Sequence, residues 1–456
     1  MSHLRPRHHF SPQVGWINDP NGLIRIDGVY HLFYQANRDT LVHGPMHWGH
    51  ATSTDLANWT EQSTALYPDE TGQCFSGSAV AATEGRVAAA LGADDGVLLF
   101  YTAHRNLPEG GYVEDQAIAV ADRGLTRFSK FSGNPVLPTP GPRDFRDPKV
   151  IWHARTSRWV MVVTHGQAIG IYSSPDALNW MAESEFGAGE GRHGPGPWEC
   201  PDLFPMQIDG TGETVWILIV GLGNGHISGG SGTQYFVGDF DGHVFRNRNS
   251  IDTELFMDWG RDFYATQSFS GMEDEDPLVI AWMSNWRYAN HTPQAGFRGS
   301  MTLPRRLKLS VTPQGLRLVQ KVDPGAAVAF ERLDVTTTTS AMASPAGPAY
   351  RLEFNWAGKV GDRMALSLFG QSNPVLSVQR TDDGYAVTAL REAQPSIAGE
   401  CDFAMSFAIS LTHGAPLDID VFVDHGLVEI GLANGLHWFS NLYFPHDPAG
   451  RVQVNV

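Results

Sequence analysis

Asp19, Asp147 and Glu199 share a local pattern, an acid at or just before a proline: Asn18-Asp19-Pro20, Arg146-Asp147-Pro148 and Glu199-Cys200-Pro201. Two carboxylates facing one another are the minimum equipment for cleaving a glycosidic bond, one giving a proton to the leaving oxygen and the other acting as nucleophile or base. Glu199, after Pro195-Gly196-Pro197-Trp198, sits in a setting that suits a proton donor, and Asp19, among turn amides, suits an ionised partner. Asp147 is expected to be held anionic by the neighbouring Arg146. Each unit alone reads equally as a tight turn; it is the recurrence that points to chemistry. Three carboxylates are also a donor set for Ca²⁺ or Mg²⁺, but no D-x-D-x-D-G loop is present, so metal ranks second and no cofactor is expected.

For these acids to meet, the chain must bring distant segments together. From Asn18 to about Leu309, short β-branched and aromatic runs alternate with Gly, Pro, Asn and Asp turns, which reads as all-β. Strands are expected at Val29–Gln35, Val97–His104, Trp159–His165, Val215–Gly221, Tyr235–Phe240 and Leu278–Trp282. Each acid–Pro unit is followed by an apolar strand, a turn and a strongly apolar strand. Phe75-Ser76-Gly77-Ser78 and Tyr264–Phe269 start two further units. Ser53-Thr54-Asp55-Leu56-Ala57-Asn58-Trp59 returns as Ser174-Pro175-Asp176-Ala177-Leu178-Asn179-Trp180, with looser copies at 121–128 and 238–242. Unit starts at 19, 76, 147, 199 and 264 predict a five-bladed β-propeller, in which the heads of the innermost strands converge on one end of the central channel. The expected organisation is a propeller over 1–310, a linker over 311–324 and a C-terminal β-sandwich over 325–456, the last from alternating runs such as Arg351–Asn355 and Asp418–Val423.

A chain of 456 residues can carry two such domains, and a net charge of −17 argues against nucleic acid or an anionic membrane as partner. Cys74, Cys200 and Cys401 are scattered and read as reduced thiols rather than a disulfide framework. The N-terminus has no apolar run after its basic residues, so the expectation is a cytoplasmic protein, or a secreted one if a leader has been removed. Oligomeric state is not legible. Around the acids, Asn18, Gln35, Ser76 and Arg146 can bond sugar hydroxyls, and Trp16, Trp48, Trp198, Trp282 and Trp286 can offer faces to sugar C–H surfaces, although packing between blades is the reading for most of them. Trp282, Ser284 and Trp286 share one strand face by period two, so if one lines the pocket the others are expected to point that way. His43, His47 and His50 do not match a zinc spacing and read as solvated or structural.

Trp16–Leu23, Phe75–Ser78, Arg146-Asp147-Pro148-Lys149 and Glu199-Cys200-Pro201-Asp202 resemble the signature motifs of glycoside hydrolase family 32, the invertases, inulinases, levanases and fructan exohydrolases. The likeness continues through Trp282–Trp286, Arg298–Arg306 and Val421–Glu429. It implies a retaining exo-acting β-fructosidase with Asp19 as nucleophile, Glu199 as acid/base and Asp147 as the residue that stabilises the transition state. It implies fructosyl contacts for Asn18, Gln35, Trp48, Phe75, Ser76, Arg146 and Trp286, with a sucrose, fructo-oligosaccharide or fructan chain end as substrate. One departure stands out: His43 occupies the place where relatives usually have Trp, and there it can bond a substrate hydroxyl. An invertase restricted to sucrose, a transfructosylating enzyme and a carbohydrate-binding propeller without catalysis are the alternatives.

Overall fold

Alternating apolar runs cut by Gly, Asn and Asp turns fold into seven sheets in the computed structural model, which describes residues 4–82, 96–141, 144–272, 275–335, 337, 339–394, 397, 403–412, 414 and 416–456. Cys401 lies outside the described residues.

Five sheets are four-stranded antiparallel meanders or extensions of one. Blade I is Gly15–Ile26, Val29–Asn37, His47–Ser53 and Thr60–Glu61; blade II is Gln73–Ala81, Val97–Asn106, Tyr112–Ala121 and Phe128–Lys130. Blade III is Lys149–His153, Arg158–His165, Ala168–Ser174 and Met181–Phe186; blade IV is Trp198–Gln207, Thr214–Leu222, Gly232–Phe240 and Phe245–Asn247. Blade V is Tyr264–Ser268, Leu278–Trp282, Arg305–Thr312 and Gly315–Val322. The first strand of each blade packs against the first strand of the next, and Gly15–Ile26 closes the ring against Tyr264–Ser268. Phe297–Arg298 fastens the closure by adding in parallel to Gly15 and Trp16. The result is a five-bladed propeller with its five innermost strands around one axis.

The repeated Ser-x-Asp-x-x-Asn-Trp segment is the turn between the third and fourth strands. The Asn58 backbone N–H donates to Asp55 Oδ1 and the Asn179 backbone N–H to Asp176 Oδ1, both at 2.8 Å. Leu56 and Ala177 take the same left-handed conformation, with φ of 65° and 59°. Identical side-chain-to-backbone bonding of this kind is what makes an Asx turn readable from sequence.

The expected linker is corrected. Gly315–Val322 pairs with Arg305–Thr312 along its whole length and is the outer strand of blade V, so the propeller runs past residue 311. Its Leu318 and Val322 are buried against blade V and its neighbours, which a solvated linker would not allow.

Beyond Val322, a five-stranded sheet centred on Ala349–Trp356, Leu417–Asp424 and Leu427–Leu432 faces a six-stranded sheet containing Arg363–Ser367, Gly384–Arg391 and Met405–Thr412. Leu352, Leu366, Val387, Val421 and Ile430 fill the space between them, which makes a β-sandwich. Propeller and sandwich are joined by buried ions. Arg305 reaches Asp258 Oδ2 at 3.0 Å and also bonds Glu429, while His9 bridges Asp424 and Glu429 at 3.0 Å each. Charges buried this deeply persist because each has its counter-ion within reach.

Candidate active site

In four blades the innermost strand is bulged at its head: register slips between Ile17 and Pro20, Phe75 and Gly77, Glu199 and Asp202, and Tyr264 and Gln267. In blade III the same re-aiming falls to Asp147, whose φ is 64°; Cys200 (48°) and Ala265 (54°) are also left-handed. Bulges and positive φ at non-glycine residues turn side chains out of simple alternation and persist only where the surroundings enforce them. Gly77 belongs to this geometry, since a Cβ there would stand 1.9 Å from the Phe100 carbonyl oxygen. The side chains so directed meet at one end of the channel.

Asp19 is buried. It accepts from Ser76 Oγ on Oδ2 at 2.6 Å and from Asn18 Nδ2 on Oδ1 at 3.1 Å, and Asn18 is oriented in turn by Trp16 Nε1 at 2.8 Å. Cys200 Sγ stands 3.5 Å from Asp19 Oδ2 and 3.7 Å from Asp147 Oδ2, so a single thiol separates the two carboxylates. Asp147 Oδ2 accepts from the Cys200 backbone N–H at 3.0 Å, and the Asp147 N–H donates to Thr102 Oγ1 at 3.0 Å. Glu199 Oε1 is clamped by Arg146 through Nε at 3.2 Å and Nη2 at 2.8 Å, and the Tyr264 hydroxyl donates to Oε2. Burial keeps the Tyr264 phenol protonated far above neutrality, so it stays a donor.

Arg146 corrects the expectation for Asp147. Its guanidinium bonds Glu199 (2.8 Å), Asp144 (2.6 Å) and Glu114 (3.2 Å), because the left-handed turn at Asp147 sends the two adjacent side chains to different partners. Burial, opposed by Arg146 and reinforced by Glu199 and Asp19, pushes Asp147 up to about 8. Burial also raises Asp19 above the ordinary aspartate range, against the hydrogen bonds from Ser76 and Asn18. The folded state thus disfavours the Asp147 anion, with a penalty that is absent below the unfolded value of 3.8, grows as pH rises and is complete above about 8. Asp147→Asn is expected to raise Tm at pH 8 and to leave it unchanged near pH 4, as thermal melts at the two pH values will show.

The pocket wall is aromatic. Phe75 is half-buried, stacks on His104 with centroids 4.2 Å apart, and meets exposed His43 edge-on at 6.1 Å. His43 meets Trp286 edge-on at 5.6 Å, and Trp286 stacks on Trp16 at 6.1 Å. The strand carrying Trp282 stops there, so Trp286 does not share its face: Trp282 is fully buried and Trp286 half-buried beyond the bend. Trp48 and Gln35 are buried as well. Trp48 Nε1 donates to the Phe75 carbonyl and Gln35 Nε2 to the Cys74 carbonyl, both at 2.9 Å, so they act on the pocket by fixing the strand that carries Phe75 and Ser76. Trp16 and Trp198 are packing residues, fully buried. The three histidines diverge, with His47 Nδ1 on the Pro45 carbonyl at 3.1 Å and His50 paired with buried His31 at 3.0 Å.

Beneath the carboxylates the channel is plugged. Buried Lys149 bonds Asp202 Oδ2 at 3.1 Å and both the carbonyl and hydroxyl of Ser268 at 2.9 Å, and Gln267 Nε2 reaches the Gly77 carbonyl at 2.9 Å. Sequence reasoning missed Tyr264, Glu114, Asp144 and Thr102. Tyr264 heads the fifth unit, where a search for acids finds none; the other three lie outside any motif.

The model of the Glycosyl hydrolases family 32 N-terminal domain matches residues 9–322. The levanase of Bacillus subtilis (strain 168) is 41% identical over 404 residues, covering 83% of this chain but 59% of the levanase. The extracellular exo-inulinase of Aspergillus niger is 33% identical over 495 residues, covering 99% of this chain and 91% of its own length. Among solved structures, the exo-inulinase from Aspergillus awamori superimposes with a TM-score of 0.85 at 28% identity, covering 100% of this chain and 96% of that one.

Proposed function

Since the chain belongs to glycosyl hydrolase family 32, we propose that it is a retaining, exo-acting β-fructosidase. Its substrates in this reading are the terminal non-reducing β-D-fructofuranosyl residues of sucrose, fructo-oligosaccharides or fructans such as levan and inulin. One observation carries it: Asp19, Asp147 and Glu199, from three different blades, come together at one end of the propeller axis, the two aspartates on either side of the Cys200 thiol and Glu199 acting electrostatically on both. The name of the exo-inulinase, which this chain matches over 99% of its own length, supports exo-action. The names of the levanase and the exo-inulinase support fructans as the substrate class.

In this reading each role has contacts that support it. Asp19, steadied by Asn18 and Ser76, attacks C2 of the fructosyl unit as the bond from C2 to the leaving oxygen breaks, and Glu199 supplies the proton to that oxygen. The resulting fructosyl ester on Asp19 is opened by water, whose proton returns to Glu199 while Asp19 is released. Arg146 and Tyr264 hold the two oxygens of Glu199 in place, and Asp147 bonds fructose hydroxyls beside the reacting carbon. Phe75, Trp286 and His43 wall the unit in.

Incubation with sucrose, 1-kestose, inulin and levan, followed by chromatography, tests the reading. Free fructose as the first product supports it. No fructose from any of the four would replace it with a binding propeller, and longer oligosaccharides at high substrate concentration would make transfer the main reaction.

A further inference from the structure

We propose that a cleft on the outer part of blade I is a second carbohydrate site, one that holds the body of a fructan chain whose end occupies the Asp19 pocket. This rests on the fructosidase reading above and concerns where the rest of the substrate goes.

The cleft measures about 720 Å³ and is lined by Arg38, His47, Glu61, Gln62, Thr64 and Tyr67, among others. Its size falls within the range of small-ligand clefts, roughly 300–1,000 Å³. Of the Phe, Tyr and Trp side chains among the described residues, Tyr67 is the most exposed, at 58%. A single exposed ring is common on protein surfaces, and this one counts because it lines the cleft, where its face can meet sugar C–H groups. The edge of His47 meets it with centroids 5.4 Å apart, and His47 is itself held by the Pro45 carbonyl, so the ring has a fixed support.

The polar groups suit a hydroxyl-rich ligand. Arg38 Nη1 is paired with Glu61 Oε1 at 3.0 Å, and Glu61 Oε2 accepts from the Gln13 backbone N–H at 2.7 Å, so these two charges are satisfied within the protein. Gln62 Nε2 is held by Thr52 Oγ1 at 3.0 Å, and the rest of the wall offers the Asp39 carboxylate and the hydroxyls of Ser63 and Thr64, acceptors and donors for sugar hydroxyls. An aromatic face beside a carboxylate and hydroxyls suits a polyhydroxyl chain better than a phosphate.

Position ties the cleft to the first site. The segment from 38 to 46 stands between them: His43 faces Phe75 and Trp286 in the catalytic pocket, while Arg38, Asp39 and the following His47 face the cleft. That segment is pinned, Asn37 Nδ2 donating to Thr40 Oγ1 at 2.8 Å and the Val42 carbonyl at 3.1 Å, and Arg298 to the Leu41 carbonyl at 2.6 Å. A chain leaving the pocket therefore crosses a fixed saddle before reaching Tyr67. A disaccharide ends before the saddle, so only longer substrates use the cleft.

The test is Tyr67→Ala, with Gln62→Ala as a second variant, in the full chain. Tyr67→Ala is expected to raise KM for long levan or inulin about fivefold, the loss of one aromatic contact, while kcat and the kinetics on sucrose stay as in the parent. In parallel, catalytically silent Asp19→Asn is run through gels containing levan or inulin, where it should be retarded, and Asp19→Asn/Tyr67→Ala less so. Equal KM for polymer in parent and variants, or sucrose and polymer affected alike, overturns the proposal. The gel reads binding without turnover, so loss of the fructosidase reading alone would leave retardation by Tyr67 intact.

Discussion

Asp19→Asn is expected to lower kcat for fructose release by at least ~10⁴-fold, the scale of removing a covalent nucleophile. The fold should survive, because an amide of the same shape can still meet Ser76 and Asn18 at 2.6 and 3.1 Å. Burial already disfavours the Asp19 anion, so its replacement by a neutral group should raise Tm at neutral pH. Kinetics and melting of one preparation check both. Lost turnover with a raised or equal Tm assigns the defect to chemistry, whereas near-parental turnover removes Asp19 as nucleophile. The raised pKa also sets the acid limb of the parent's kcat/KM profile. Activity needs the anion, so the rate climbs with pH through a range above that of an ordinary aspartate, and the limb belongs to the carboxylate cluster as a whole.

The second large effect is expected at Glu199. Glu199→Ala should cost roughly 10²–10⁴-fold on sucrose, whose leaving group needs a proton, and far less on fructosyl fluoride, whose leaving group does not. Arg146 keeps Asp144 and Glu114 as counter-ions when Glu199 is removed, so its charge is not stranded and the pocket should hold its shape. Comparing the two substrates separates proton donation from general damage. Equal losses on both would count against the acid role.

Much of this arrangement was legible in the chain because it is repetitive. The acid–Pro units and the paired Ser-x-Asp-x-x-Asn-Trp turns mark blade heads and blade tails, and the turns use Asp side-chain-to-backbone bonding that depends on residue type. Gly315–Val322 escaped because its unit is interrupted: between Leu278–Trp282 and Arg305–Thr312 the chain leaves the sheet, and the regular spacing of strands is lost. The partner of Arg146 was misread for a local reason. Adjacency in sequence suggested Asp147, but a φ of 64° redirects the carboxylate, and positive φ at an aspartate leaves no mark in a single sequence. Tyr264 was missed because its value lies in one contact, a hydroxyl on Glu199, that only the packing of blade V against blade IV creates. Trp48 and Gln35 are placed at the pocket by motif, and the folded chain adds a role no motif states: their bonds to the Phe75 and Cys74 carbonyls fix the strand that carries Ser76.

The central claim is that Asp19 and Glu199 act in two successive displacements at one carbon. The most direct measurement is the anomeric form of the first fructose released, followed by NMR within seconds of mixing enzyme and substrate, before mutarotation. Two displacements predict β-D-fructofuranose as the initial product; α-D-fructofuranose appearing first would mean a single displacement by water and would contradict the account.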